Sequence, residues 1–190
     1  MRIGLFFGSF NPIHIGHMAI ANYVVEFGPI DQLWFVVSPQ NPFKHQKNLL
    51  DDYQRLELVN RAIGDDFRFK ACDIEFRLPR PSYTINTLTY LSEKYPNKTF
   101  MPIIGADNFE QLHRWKNIDV LLQNYEFIVY PRPGYTLINN EVQGTFHVVE
   151  APIMEISSTF IRNAMAQGKD VRHFLQPQVF QYIDEMKFYC

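Results

Sequence analysis

Short apolar runs alternate along this chain with longer amphipathic segments, and that alternation restricts the fold more than any other feature. Arg2–Phe7, Leu33–Ser38, Phe67–Cys72, Thr99–Ile104, Glu126–Tyr130 and Phe146–Val149 read as strands, rich in Phe, Ile and Val. Between them, Ile15–Phe27, Asp51–Ile63 and Tyr83–Lys94 read as helices; in the second, Leu56, Val59 and Ile63 recur at helical spacing. Ser158–Gln167 and Gln178–Phe188 predict two further helices. Strands separated by helices argue for βαβ units and a parallel sheet covered on both faces. Right-handed crossovers then give an α/β fold, a Rossmann-like doubly wound parallel sheet with a small helical C-terminal section. No internal repeat or linker interrupts the pattern, so residues 1–190 read as a single domain. Pro131–Gly144 reads as a surface loop rather than a boundary.

Composition narrows the function classes. The 17 Phe, 10 Tyr and 2 Trp among 190 residues supply a sizeable core, which excludes disorder as the main state. With 18 Lys+Arg against 20 Asp+Glu, the net charge of −2 gives no bulk attraction to nucleic acid or an anionic membrane. No apolar run approaches the roughly 18–20 residues of a membrane span. Met1–Phe7 is too short for a signal peptide and has no cleavage site, so a cytoplasmic location is expected. Two cysteines, Cys72 and Cys190, make neither a disulfide framework nor a zinc site, and read as incidental thiols in a reducing compartment.

The segment Gly8-Ser9-Phe10-Asn11-Pro12-Ile13-His14-Ile15-Gly16-His17 joins the first strand to the first helix. Ligands of open parallel sheets bind outside the carboxyl ends of the strands, so a site is expected at this turn. Gly8 permits a tight turn, Pro12 stiffens it, and Gly16 lets the helix start approach a ligand. Free amides and the helix dipole attract phosphate there. His14 and His17 stand about one turn apart, so both can face one anion. A zinc pair is a weaker reading, because no third ligand stands at a telling spacing. Near the other end, Ile156-Ser157-Ser158-Thr159-Phe160-Ile161-Arg162 enters a helix. Ser157 or Ser158 can cap it, its amides can cradle phosphate, and Arg162 can face the same anion.

These two segments resemble the paired signatures of the nucleotidyltransferase superfamily, the group related to class I aminoacyl-tRNA synthetases. Three intervening segments are similar to bacterial nicotinate-nucleotide adenylyltransferases: Pro81-Ser82-Tyr83-Thr84-Ile85-Asn86-Thr87-Leu88, Gly105-Ala106-Asp107-Asn108-Phe109 with the downstream Trp115, and Arg132-Pro133-Gly134-Tyr135. The resemblance runs from residue 3 to about residue 185, with segments in the family's order. Two departures stand out. Asn11 occupies a position where many members carry Asp. In the loop Asn41-Pro42-Phe43-Lys44, Phe43 replaces the family's histidine, although Lys44 is retained.

The resemblance implies adenylyl transfer from ATP to nicotinate mononucleotide, giving nicotinic acid adenine dinucleotide and pyrophosphate in NAD biosynthesis. It implies His14, His17 and Arg162 as catalytic residues. ATP is expected on Gly8, Ser9, Phe10, His14, Gly16, His17, Gly105, Asp107, Ile156, Ser157, Ser158 and Arg162. The nicotinate nucleotide is expected on Lys44, Thr84, Asp107, Trp115 and Arg132, with Asp107 and Trp115, about two helical turns apart, bordering one pocket. Mg²⁺ is expected on the ATP phosphates, with no protein metal site. Oligomeric state is left open, a homo-oligomer included. A phosphopantetheine adenylyltransferase shares the two signatures, but not the Ser-Tyr-Thr and Gly-Ala-Asp segments. A tRNA synthetase is argued against by the short chain and the absence of a basic surface. A non-catalytic nucleotide-binding module of the same fold differs by binding ATP without releasing pyrophosphate.

Overall fold

The structure is a computed structural model that describes residues 1–39, 49–137 and 142–189. Among these, β1 (Arg2–Gly8), β2 (Gln32–Val37), β3 (Phe69–Cys72), β4 (Thr99–Gly105), β5 (Phe127–Tyr130) and β6 (Phe146–Val148) form one sheet in the order β3-β2-β1-β4-β5-β6. Every pairing is parallel, with Leu5 beside Trp34 on β2 and beside Pro102 on β4. The doubly wound sheet expected from the alternating pattern is the one observed.

The strands read as continuous apolar runs because both faces are covered. On β2, Leu33, Phe35 and Val37 join one core and Trp34 and Val36 the other, as the two-residue period requires. The first core packs α1 (Ile15–Phe27), α2 (Asp52–Ile63), α6 (Ser158–Ala166) and α7 (Pro177–Met186) against the sheet; the second packs α3 (Thr84–Lys94), α4 (Ala106–Glu110) and α5 (Ile118–Asn124). α2 starts where a capping box directs it: the Asp51 carboxylate accepts from Tyr53 N–H at 2.9 Å, and Gln54 Oε1 accepts from Asp51 N–H at 3.2 Å.

Three details differ from the sequence pattern. β3 begins at Phe69 rather than Phe67, because Asp66 turns the chain: Phe69 N–H bonds Asp66 O, leaving Phe67 85% exposed. The short helices α4 and α5 carry too few residues for a helical period to register. Finally, Asp107 and Trp115 do not share one helix. α4 ends at Glu110, and the 3₁₀ turn Leu112–Arg114 redirects the chain before Trp115. Among the described residues, no helix is long and apolar enough to cross a membrane.

The strand order reverses between β1 and β4, whose carboxyl ends therefore splay their connections to opposite faces and open a crevice. Two cavities lie there.

Candidate active site

The phosphate-type loop between β1 and α1 is pinned from three directions. Ser9 O accepts from Arg55 Nη1 at 2.7 Å, Asn11 O from Arg162 Nη1 at 2.7 Å, and Pro12 O from Ser158 Oγ at 2.9 Å. The two motifs, more than 140 residues apart in sequence, are thus clasped backbone to side chain. Phe10 holds a left-handed φ of 45°, a conformation that costs a non-glycine residue about 1–3 kcal/mol. Its ring packs edge-on against Phe6, Phe35 and His17. Gly8 makes room for that ring, since a Cβ there would sit 2.8 Å from it.

His14 caps α1 with extended backbone, and its ring stacks on His17 at 3.7 Å between centroids. The His14 N–H donates to His17 Nδ1 at 3.3 Å, which makes Nδ1 an acceptor and leaves the His17 proton on Nε2. Burial lowers the pKa of His14 to about 4, with the Arg132 charge adding to the effect. Burial, then His14 and Arg132, hold His17 well below its ordinary 6.5. Both rings are therefore neutral at pH 7 and offer neutral N–H donors.

This arrangement predicts acid sensitivity. In the unfolded chain His14 gains its proton near pH 6.5, and in the folded protein only near pH 4. Between these values the unfolded chain binds more protons, so stability falls as pH drops through that window, by roughly 3 kcal/mol when complete. Urea unfolding followed from pH 7 to pH 4.5 should show the decline, and His14→Gln should reduce its slope while leaving the part that His17 contributes.

The first cavity, of about 550 Å³, lies over these groups. It is lined by Gly8, Ser9, Phe10, His14, Gly16, His17, Asp107, Ile156, Ser157, Ser158 and Arg162, and also by Arg132. Ser157 caps α6, its Oγ accepting from Phe160 N–H at 3.1 Å. With Ser158 Oγ committed to Pro12, the α6 end presents chiefly backbone amides. The Arg132 Nε and Asp107 Oδ1 atoms stand 3.8 Å apart, each buried without a hydrogen-bond partner, as is His14 Nδ1. Three unpartnered polar atoms thus face one cavity.

The second cavity, of about 520 Å³, is lined by Thr84, Trp115 and Gly105, together with Glu75, Ser82, Tyr83, Arg114 and Lys116. Phe6, Phe7, Ser38, Asn108 and Tyr130 line both and form their common edge. Thr84 is the first residue of α3, and half-buried Trp115 packs one side against the second core. Asp107, expected with both substrates, and Arg132, expected beside Trp115, line the first cavity, while Gly105, expected with ATP, lines the second. Lys44 and Phe43 lie outside the described residues.

Arg55 and Glu75 lie outside the motifs, and Ser82 lies within one but without an expected role. Arg55 is fully buried and also donates to Ser38 O at 2.9 Å. Its signal was present: it shares the apolar stripe of α2 with Leu58, Val59 and Ala62. Glu75 and Ser82 are buried on a 3₁₀ turn (Ile74–Arg77) and on the loop that follows it, where no period marks a buried face.

A doubly wound sheet with two loops clasped at its switch point, each ending in the start of a helix, is the architecture of a nucleotidyltransferase. The family described as cytidylyltransferase-like matches residues 5–164, and the chain belongs to it. Within it the chain belongs with the nicotinate-nucleotide adenylyltransferases. A probable nicotinate-nucleotide adenylyltransferase of Flavobacterium johnsoniae is 51% identical, over all of this chain and 99% of the relative. One from Bacteroides fragilis is 50% identical, over 96% of this chain and 90% of the relative. A solved structure of Plasmodium falciparum nicotinic acid mononucleotide adenylyltransferase, complexed with NaAD, superposes with a TM-score of 0.79 at 19% identity, covering 99% of this chain and 97% of that one.

Proposed function

We infer that this chain transfers the adenylyl group of ATP to nicotinate mononucleotide, forming nicotinic acid adenine dinucleotide and releasing pyrophosphate, a step of NAD biosynthesis. The observation that carries this reading is the pair of adjoining cavities of similar size, one walled by phosphate-binding loops and the other by a flat aromatic side chain. Two substrates held on either side of a common edge can meet there.

The acceptor's phosphate oxygen attacks the α-phosphorus as the bond to the β-phosphate's bridging oxygen breaks. The nucleophile arrives as an anion, so no protein base is required and catalysis reduces to alignment and charge stabilisation. His17 Nε2–H and the His14 ring donate to the phosphates, His17 to the α-phosphate. Arg162 and the α6 amides hold the leaving pyrophosphate. Asp107 accepts from ribose hydroxyls between the two substrates. Thr84 and Trp115 hold the nicotinate nucleotide, the indole stacking on the pyridine ring.

Mg²⁺ belongs to this reading as a companion of ATP. Asp107 and exposed Glu155 are the carboxylates lining the first cavity, and among the described residues no three His, Cys, Asp or Glu side chains cluster to hold a metal. That donor set fits a hard cation that would be held through the phosphate oxygens of ATP rather than by a cluster of protein ligands. When bound, the ion neutralises charge on the phosphates.

The test is pyrophosphate release from ATP with four acceptors: nicotinate mononucleotide, nicotinamide mononucleotide, phosphopantetheine and glycerol phosphate. Nicotinate mononucleotide should be the best of them. Faster reaction of phosphopantetheine would reassign the acceptor within the same chemistry, and ATP binding with no pyrophosphate from any acceptor would make the chain a binding module.

A further inference from the structure

We propose that Glu75 is a specificity-determining residue of the second cavity, its Oε2 forming the hydrogen bond that selects the polar substituent on the acceptor's ring, with Ser82 Oγ beside it. This rests on the acceptor reading given above and extends it to a residue outside the family motifs.

The observation is a pair of orphaned atoms. Glu75 and Ser82 are 2% and 8% exposed, and both line the second cavity. Glu75 Oε1 accepts from Thr87 Oγ1 at 2.8 Å, which fixes the carboxyl. Its Oε2 has no hydrogen-bond partner, and neither does Ser82 Oγ. Among the described residues these are the unpartnered buried side-chain atoms of that cavity, as His14, Asp107 and Arg132 supply those of the first. Leaving a buried polar group unpaired costs free energy that a ligand's complementary group recovers. The rest of the wall is largely aromatic and aliphatic: Phe6, Phe7, Ile103, Ile104, Leu121 and Trp115. A flat ring bearing one polar substituent fits such a lining.

The carboxyl's surroundings set which substituent matches. Burial pushes Glu75 above the usual carboxylate range, against the lowering effect of the Thr87 hydroxyl and of the Ser38 and Ser82 hydroxyls, which stand near the carboxyl without completing a hydrogen bond to Oε2. The buried Cys72 thiol is the neighbouring titratable group on β3, itself raised by burial. Arg114 and Lys116 line the cavity from exposed positions, and Lys116 Nζ lies 4.3 Å over the Tyr83 ring. No cation ranks among the influences on Glu75. With Oε1 occupied as an acceptor, Oε2 is the oxygen that carries the proton whenever the carboxyl is protonated. Protonated, Oε2–H donates to a ring carboxylate; ionised, Oε2 repels a carboxylate and accepts from a carboxamide N–H. One side chain therefore presents opposite complementarity in its two states.

The experiment measures kcat/KM for nicotinate and nicotinamide mononucleotides with wild type, Glu75→Gln and Glu75→Ala, across the whole pH range in which the enzyme stays folded. The ratio of the two values cancels the titration of the nucleotide phosphates, which both acceptors share. In wild type the preference for nicotinate should weaken as pH rises. Glu75→Gln keeps an acceptor for Thr87 and a permanent donor toward the cavity, so its preference should persist without the pH slope. Glu75→Ala should lower the ratio by about 10- to 100-fold. A ratio unmoved by pH in wild type and by either substitution, in an enzyme that uses nicotinate mononucleotide, overturns the role of Glu75 alone. Destabilised variants with an unmoved ratio overturn it equally, since they mark Glu75 as a structural acid. Wild type that uses neither mononucleotide overturns the acceptor reading and this proposal together.

Discussion

His17→Ala should lower turnover by about 10²–10³-fold while changing the ATP Michaelis constant only a few-fold. The His17 ring is stacked on His14 and held edge-on by Phe10, and its Nδ1 is engaged by the His14 N–H. One nitrogen, Nε2, is left to donate, and its direction is set before ATP arrives. A preoriented donor of this kind acts mainly on charge that develops at the transferring phosphate, and so appears in kcat. Arg162→Ala should behave differently. Arg162 Nη1 also positions Asn11 O, and the phosphates proposed as its partners would be charged in the ground state, so both turnover and ATP affinity should fall. Steady-state pyrophosphate release with saturating acceptor, beside circular dichroism of each variant, separates these outcomes. A folded His17→Ala enzyme with near-normal turnover would remove His17 from the chemistry.

The architecture was legible because its signal is periodic. A strand buried on both faces must be apolar throughout, as Leu33–Val37 is, and helices such as α2 carry their own start signal in Asp51 and Gln54. Boundaries were read less accurately where a turn overrode composition, as at Phe67, an aromatic residue that the Asp66 turn leaves in solvent. α4 and α5 are held by contacts with the sheet rather than by a pattern of their own.

The first cavity was legible almost residue by residue, since its motifs are contiguous and sit at strand ends. Its supporting bonds were not. That Arg55 binds Ser9 O and Ser38 O depends on β1 and β2 being neighbours with their carboxyl ends aligned, which is a property of the sheet and not of any segment. The Asn11 position shows the same dependence. Asn11 is wholly buried and its Oδ1 accepts from the Tyr189 hydroxyl at 2.7 Å, from the far end of the chain. Asp107 lines the first cavity and Trp115 the second, because the helix that begins at Ala106 ends at Glu110 and does not carry both residues on one face.

Trp115→Ala should weaken the nicotinate nucleotide by roughly 5- to 150-fold in Michaelis constant and leave ATP binding almost unchanged. The size follows from about 1–3 kcal/mol for an aromatic face on a heteroaromatic ring, by analogy with stacking of nucleic-acid bases. Selectivity follows from the structure: Trp115 lines the second cavity and not the first, and it follows a 3₁₀ turn that holds it apart from the phosphate loops. A competing account makes Trp115 a core residue, whose truncation costs about 3–5 kcal/mol of stability when buried. The indole is half-buried, and the fully buried tryptophan of this core is Trp34, so the stability loss at Trp115 should fall below that range. Trp115→Phe retains a flat face and should recover most of the acceptor affinity. Thermal melting of both variants, beside Michaelis constants for each substrate, decides between the accounts. A strongly destabilised Trp115→Ala with normal acceptor affinity would return the residue to the core and leave the pyridine ring without its stacking wall.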